Sequence, residues 1–201
     1  RALEAGVTVV NVGTQKDTSA RAVEVAHALP AEALAKAGVY ATVGLHPIHT
    51  EKSFHDAQEL GSADSALFSN SRELENKGGK GLGGFTLQNF SEKNLGGFTS
   101  RGEDFDYEYY KKLALDNRVV AIGECGLDYF RMEQSANHES QIAKQKEAFV
   151  KQIELAKDVQ KPLMIHCRGS ASSPSDAFGD LIDILKTNTQ NLKPSIVHFF
   201  T

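Results

Sequence analysis

The sequence predicts an α/β domain built on a parallel sheet, and two features of the 201-residue chain support this class. Short apolar segments rich in β-branched residues alternate with longer segments in which apolar residues recur every three or four positions. This alternation is typical of strands joined by amphipathic helices with right-handed crossovers. The pattern suits a sheet that closes as a barrel and also one that stays open and doubly wound. Because 40% of the residues are hydrophobic and 24% are charged, we expect one globular domain that is not embedded in a membrane.

Five apolar segments are predicted to be buried strands. They cover residues 7–13, 39–44, 119–123, 162–165 and 195–200. Valine and isoleucine are frequent in them, and these side chains favour extended backbone. Glycine closes three of the five segments, which permits a tight change of direction at the end of a strand.

The segment between the first two strands is predicted to be helical. Thr18 or Ser19 can cap its start. Its apolar positions share one face of a helix and are Ala22, Val23, Ala26 and Leu29. Pro30 then interrupts the helix, and a second short helix is expected at residues 31–37.

Three further helices follow from the spacing of apolar residues. One is expected at residues 105–117, with Tyr109 and Leu113 facing inward. The next has an apolar stripe that consists of Ile142, Phe149, Ile153, Ala156 and Val159. The last begins after Pro174 and has an apolar face that consists of Phe178, Leu181, Ile182 and Leu185.

Residues 61–102 interrupt the alternation of strands and helices. They are rich in glycine, serine, asparagine and lysine, and the string Leu-Gly-Gly-Phe-Thr occurs at residues 82–86 and again at 95–99. A segment of this composition cannot bury enough apolar surface to offset the cost of ordering its backbone. We therefore predict a mobile or irregular surface insertion within a single domain, either a tolerated loop expansion or a functional lid.

Charge and cysteine content narrow the functional classes. The formal net charge of −4 argues against a protein that coats nucleic acid with a broad basic surface, but not against an enzyme that binds one phosphate chain locally. No apolar run in the sequence reaches the roughly 18 to 20 residues that a membrane-spanning helix needs. Cys125 and Cys167 both fall in apolar strand segments, so we predict buried free thiols and a cytoplasmic location.

Side chains that can bind metal ions or phosphate follow the ends of several predicted strands. His46 lies just beyond the second strand, Glu124 directly follows the third, and His166 directly follows the fourth. Arg168 comes two residues after His166, and His198 lies in the last strand. In a β/α barrel the carboxyl ends of the strands form one rim, so these side chains would converge there.

The combination of imidazole and carboxylate groups suits zinc and related divalent ions. A carboxylate can bridge two ions through its two oxygens, and a two-ion site can activate water and stabilise charge on a phosphoryl group. We therefore predict a metal site where Glu124, His166 and His198 meet, with a phosphodiester as a suitable substrate. The alternative is structural, namely a buried acid paired with arginine and hydrogen-bonded core histidines. Asp128 is predicted to cap a loop or to orient a ligand, not to bind an ion directly.

Four strings at these positions resemble the TatD family of DNases in the amidohydrolase superfamily. They are Thr-Val-Gly-Leu-His-Pro at residues 42–47, Ala-Ile-Gly-Glu-Cys-Gly-Leu-Asp-Tyr at 121–129, Ile-His-Cys-Arg at 165–168 and Val-His-Phe-Phe-Thr at 197–201. The string around Glu124 is highly specific. With the helix that carries Gln145, Phe149 and Gln152, the resemblance covers nearly the whole chain except the insertion.

This resemblance implies a TIM-type (β/α)8 barrel that is incomplete in this chain, which holds about strands 2 to 6. It implies that Glu124 bridges two divalent metal ions (Mg²⁺, Mn²⁺ or Zn²⁺), that His166 and His198 are further ligands, and that these three residues are catalytic. His46 and Arg168 would face the substrate, and the planar, permanently charged guanidinium suits a phosphate. The implied substrate is DNA, cleaved by 3′–5′ exonuclease action on single strands.

The sequence also departs from the family pattern. The family carries a His-x-His pair of metal ligands on its first strand and an aspartate on its eighth, and neither has a counterpart here. We therefore expect the 201-residue chain, truncated at both ends relative to the family, to be inactive by itself. Two alternatives are a metal-dependent hydrolase of a small ester or amide on the same barrel and an inactive remnant. Arg131 is a weaker candidate for binding phosphate.

Overall fold

A computed structural model describes residues 3, 5–28, 38–56, 97–130, 132, 136–170 and 175–200. The chain divides into two compact units, one formed by Arg1–Glu51 with Gly102–Thr201 and the other by Lys52–Arg101. The strands of the described residues are β1 (Val9–Val12), β2 (Val39–Val43), β3 (Lys52–Asp56), β4 (Gly97–Arg101), β5 (Val119–Asp128), β6 (Leu163–Arg168) and β7 (Ile196–Phe200). The helices are α1 (Lys16–His27), α2 (Tyr107–Ala114), α3 (His138–Asp158) and α4 (Ser175–Asn188), with a 3-10 helix at Pro47–Thr50.

The larger unit contains a five-stranded parallel sheet in the order β1-β2-β5-β6-β7. Each strand therefore lies beside the next strand of that sheet along the chain. An open doubly wound sheet would reverse its order at a switch point, whereas a barrel adds strands in one direction. The predicted α/β fold, an incomplete TIM-type barrel, is confirmed, and the five predicted strands are the five strands of this sheet.

The register of the sheet brings the carboxyl ends of its strands together. Gly126 and Asp128 of β5 pair with His166 and Arg168 of β6. His166 in turn pairs with His198 of β7. Residues that are far apart in sequence thus become direct neighbours at one edge of the sheet.

Helix α1 begins earlier than the sequence suggested. Its N-cap is Gln15, so the prediction of Thr18 or Ser19 as the cap is wrong. The Thr18 hydroxyl accepts hydrogen bonds from the N–H groups of Thr14 (2.9 Å) and Gln15 (3.0 Å) and so closes the first turn from within the helix. Ser19 is fully buried and its hydroxyl bonds to the backbone of Gly44 at 3.2 Å. The predicted interruption at Pro30 and the helix at 31–37 lie outside the described residues.

In helix α2 the predicted inward-facing residues, Tyr109 and Leu113, pack against the core, but another pair is buried more completely. Tyr110 and Ala114 are fully buried, whereas Tyr109 and Leu113 are only partly buried. The hydroxyl of Tyr110 donates to Glu103 at 3.1 Å, which allows the whole tyrosine ring to leave water.

Helices α3 and α4 cover the sheet largely as the apolar spacing predicts. Phe149, Ile153 and Ala156 are buried, while Ile142 and Val159, at the ends of the stripe, are partly buried. In α4 the prediction for Ile182 is wrong, because this side chain is 50% exposed. The buried face of α4 runs through Ala177 and Leu181, and Ile182 lies about 100° further around the helix than Leu181.

The smaller unit contains an antiparallel pair formed by β3 and β4, in which Lys52 pairs with Arg101 and Asp56 with Gly97. Most of the predicted insertion at 61–102, including the first copy of its repeat, lies outside the described residues. Strand β4 falls within the predicted insertion and is regular, so the segment is not irregular throughout.

Both cysteines are free and buried, as predicted. Burial raises the pKa of the Cys125 thiol and raises that of Cys167 to about 12. Of the helices in the described ranges, none is long and apolar enough to cross a membrane.

Candidate metal centre

Strand β5 carries Glu124 into the rim of the sheet between two glycines with positive φ angles. The φ angles are 146° at Gly123 and 135° at Gly126, values that residues other than glycine rarely adopt. A Cβ atom at Gly126 would also collide with the carbonyl oxygen of His166. Glycine therefore lets β5 approach β6 closely on either side of Glu124.

The Glu124 carboxylate is surrounded by three histidines. Its Oε1 atom lies 2.9 Å from Nδ1 of His166, 3.6 Å from Nε2 of His46 and 3.7 Å from Nε2 of His198. The three residues predicted to meet, Glu124, His166 and His198, therefore come together. His198 is the most accessible of the group, with 48% of its side chain exposed.

Asp128 occupies the far side of the His166 ring. Its Oδ2 atom lies 2.9 Å from Nε2 of His166, and its Oδ1 atom accepts a hydrogen bond from the N–H of Phe130 at 3.0 Å. Asp128 thus has both contacts expected of a loop cap and of an orienting partner. The His166 ring is held between two carboxylates, which fixes the plane of the imidazole.

His46, predicted to face the substrate, lies directly beside Glu124 and His166, two of the predicted metal ligands. It caps the 3-10 helix, and its Nδ1 atom accepts a hydrogen bond from the N–H of Ile48 at 3.2 Å. This bond turns Nε2 toward Glu124. The ring also packs edge-on against His166, with 4.3 Å between the ring centroids.

The electrostatics of the cluster favour ionised Glu124 and neutral His46. Burial raises the pKa of Glu124, but its hydrogen bonds with His166 and His46 outweigh this effect and hold the pKa well below its usual range. Burial lowers the pKa of His46, and the neighbouring Glu124 only partly compensates. For His166, burial is outweighed by hydrogen bonds with Asp128 and Glu124, which raise its pKa. These contacts favour the protonated form of His166 relative to a free imidazole.

The donor atoms at this rim fit a divalent cation. Ligand atoms of His46, Asp128 and His166 all lie within 4.8 Å of one another, and all three residues are buried. Glu124 contacts two of these three residues. Imidazole nitrogen with carboxylate oxygen is the ligand combination of zinc and related ions. The sequence analysis did not predict His46 or Asp128 to bind an ion directly, because sequence spacing does not reveal which side-chain atoms face one another.

Arg168 lies at the same rim and packs on an aromatic ring. It is two residues beyond His166 on β6, a spacing that puts both side chains on the same face of a regular strand. Its guanidinium carbon lies 3.4 Å from the centroid of the Phe130 ring. This stacking fixes the plane in which all the guanidinium N–H groups lie. Arg131 lies outside the described residues.

Comparison with known proteins identifies the family of this chain. The whole chain, residues 1–201, matches the family described as TatD related DNase. A 3′-5′ ssDNA/RNA exonuclease TatD from Rahnella sp. (strain Y9602) is 38% identical over 91 residues, which are 45% of this chain and 30% of that protein. An uncharacterized metal-dependent hydrolase, YabD of Bacillus subtilis (strain 168), is 40% identical over 98 residues, which are 48% of this chain and 32% of that protein.

The matched regions therefore span about a third of the length of these curated relatives. Among solved structures, a TatD homologue from Escherichia coli K12, YJJV, has a TM-score of 0.43 and 22% identity over 92% of this chain and 46% of its own. The family match extends over all 201 residues. The chain belongs to the TatD-related DNase family.

Proposed function

We propose that this protein is a metal-dependent hydrolase that cleaves the phosphodiester bonds of DNA. The observation that carries the proposal is the contact of one carboxylate, Glu124, with the three histidines His46, His166 and His198. Membership of a DNase family supplies the substrate class. The name of the Rahnella relative, a 3′-5′ ssDNA/RNA exonuclease, supports the finer proposal of 3′–5′ action on single strands.

We assign Glu124, His166 and His198 as metal ligands and catalytic residues, with His46 and Asp128 near enough to contribute. Two divalent ions, Mg²⁺, Mn²⁺ or Zn²⁺, supply Lewis-acid polarisation of the phosphoryl group when bound. The protein contributes orientation, because Asp128 fixes the imidazole of His166 from the side opposite Glu124. Ionised Glu124 also places negative charge where the cations are needed.

Arg168 is proposed to bind a phosphate of the DNA strand. Its guanidinium is always charged and presents planar N–H donors that match phosphate oxygens. Stacking on Phe130 reduces the rotamer freedom that would otherwise be lost on binding. We also propose that the protein works in the cytoplasm, where a reducing environment keeps the free thiols of Cys125 and Cys167 reduced.

The test uses the full-length protein with a labelled single-stranded oligonucleotide and Mg²⁺, Mn²⁺ or Zn²⁺ in turn. We expect metal-dependent shortening from the 3′ end. We expect Glu124→Gln to lower the rate by more than about a hundredfold, beyond the loss typical of a residue that only orients a ligand. The control is Glu147→Gln, the same chemical change at an exposed residue of α3, which should leave the rate unchanged.

Two results would overturn the proposal. One is a purified protein that binds no divalent metal by elemental analysis and cleaves no DNA. The other is a Glu124→Gln variant that retains the wild-type rate. Turnover of a small carboxylic ester without turnover of DNA would instead support the alternative hydrolase on the same barrel.

A further inference from the structure

Two glutamines of α3 are buried against the sheet, where helix residues are ordinarily apolar. Gln145 is 4% exposed and Gln152 is 1% exposed. A buried amide is costly unless its hydrogen-bonding groups are satisfied, so the partners of these two side chains indicate what they stabilise. Both amides bond to the backbone of the rim.

Gln152 holds the segment that leads into His46. Its Oε1 atom accepts a hydrogen bond from the N–H of Leu45 at 2.8 Å, and its Nε2 atom donates to the carbonyl of the same residue at 3.0 Å. Leu45 lies beyond the last register pair of β2 and β5, which joins Val43 to Ile122. The glutamine amide thus takes the place of a neighbouring strand at the residue directly before His46.

Gln145 holds the backbone of Asp128 in the same way. The N–H of Asp128 donates to Oε1 of Gln145 at 2.8 Å, and Nε2 of Gln145 donates to the carbonyl of Asp128 at 2.9 Å. Asp128 is in the last register pair of β5 and β6. Each glutamine therefore clamps one residue by both of its backbone groups, at the point where a strand ends.

The two clamps are mechanically linked by the helix that carries them. They are seven residues apart, which is about two helical turns or roughly 10.5 Å along the axis of α3. A Cβ atom at Gly44 would lie 2.8 Å from Oε1 of Gln152 and 2.8 Å from Cα of Gly123. The absence of a side chain at Gly44 is thus what admits Gln152 to its position.

We propose that Gln145 and Gln152 are positioning residues of the metal centre. Because both belong to α3, their fixed spacing on this helix sets the distance between Asp128 and His46. This inference rests on the proposed function for its chemical meaning. Gln145 clamps Asp128 itself, and Gln152 clamps Leu45, the residue before His46. Asp128 and His46 are two of the three residues whose ligand atoms lie within 4.8 Å of one another, and the third is His166. Loss of either clamp shifts one donor relative to the others without removing any donor.

The test compares Gln145→Met and Gln152→Met with Phe149→Leu in the full-length protein. Methionine keeps the length of glutamine and removes both hydrogen bonds. Phe149 lies on the same face of α3 between the glutamines and is fully buried, so its variant reports loss of packing alone. Two readouts are needed, the affinity for Mn²⁺ by calorimetry and the ring resonances of the histidines in the metal-free protein.

We expect each methionine variant to bind Mn²⁺ about 10 to 100 times more weakly, because mutating a residue that orients a metal ligand typically lowers metal affinity by this factor. The ring resonances of His46 should move in Gln152→Met, and those of His166, the partner of Asp128, in Gln145→Met. The resonances of His27, which is outside the rim, should stay in place. Phe149→Leu should lower the melting temperature and leave both readouts unchanged.

The proposal is overturned if the methionine variants match Phe149→Leu in both readouts. If a methionine variant does not fold, the asparagine variant at the same position replaces it, since asparagine keeps the amide but is one methylene too short to reach both backbone groups. A wild-type protein that binds no Mn²⁺ and cleaves no DNA would overturn the proposed function, and the histidine resonances would still decide whether the clamps position the rim.

Discussion

The Nε2 atom of His166 lies 2.9 Å from Oδ2 of Asp128, and both side chains are buried. The pair joins neighbouring strands and holds the ring whose other nitrogen faces Glu124. An imidazole bonded at both nitrogens has one orientation available to it. The geometry of the rim therefore depends on Asp128 whether or not this carboxylate itself binds an ion.

Asp128→Asn tests this dependence. The variant keeps the size of the side chain and removes the charge that orients His166, so we expect metal affinity and nuclease rate to fall by about 10 to 100 times. Asp183→Asn is the control, because Asp183 is an exposed residue of α4 that forms an ion pair with Lys186 of the same helix. Equal activity of the two variants would show that Asp128 has no role at the rim.

Arg168→Lys tests the proposed phosphate contact. Lysine preserves the charge and loses both the planar donor set and the stacking on Phe130. We expect KM for single-stranded DNA to rise by about tenfold, which corresponds to the loss of one charge-assisted hydrogen bond. Steady-state kinetics over a range of oligonucleotide concentrations would check this. An unchanged KM would place the phosphate contact elsewhere.

Gly126→Ala tests the close approach of β5 to β6. Alanine is strained at a φ of 135°, and its Cβ would collide with the carbonyl of His166. We expect the free energy of unfolding, measured with urea, to fall by about 1 to 3 kcal/mol or more. The matched control is Gly179→Ala in α4, where an added Cβ meets nothing within 4 Å. That change should stabilise the protein by up to about 1 kcal/mol. Similar losses in both variants would contradict the prediction.

Asp116 is expected to contribute to the stability of the protein against acid. Burial raises the pKa of its carboxyl, but hydrogen bonds from the N–H of Arg118 and from His27 outweigh this effect and hold the pKa below its usual value. A lowered folded pKa gives stability that is complete above the unfolded value and is lost as the pH falls through the folded value.

Urea midpoints of the wild type and of Asp116→Asn between pH 6 and about pH 2 would check this contribution. The wild type should lose more stability than the variant over the lower part of this range. Parallel curves would mean that Asp116 contributes nothing to the acid dependence.

Much of the fold follows from the sequence because it depends on repeated local patterns. β-branched runs and apolar stripes identify the five strands of the parallel sheet, the buried face of α3, and the buried residues Ala22 and Ala26 of α1. Leu29, the last position of the predicted stripe of α1, lies outside the described residues. The errors come from tertiary contacts. Tyr110 is more deeply buried than Tyr109 because Glu103 satisfies its hydroxyl. Ile182 is exposed because the face of α4 that meets the sheet passes through Leu181.

The site was predictable to the level of which residues meet, and not to the level of which atoms touch. Glu124, His166 and His198 could be placed together because parallel strands end at one edge. The position of His46 beside Glu124 depends on the bond between its Nδ1 atom and Ile48, which fixes the ring orientation. The role of Gln145 and Gln152 depends on long-range backbone partners that no local pattern in the sequence identifies.

The pairing of Gly126 with His166 and of Asp128 with Arg168 has a further consequence. Side chains alternate between the two faces of a strand, so a slip of one residue between β5 and β6 would turn His166 and Arg168 away from Glu124 together. Such a misaligned sheet could keep nearly all of its backbone hydrogen bonds and still separate Glu124 and Asp128 from the His166 ring that lies between them. The correct alignment of β5 with β6 is therefore a requirement for the site as well as for the sheet.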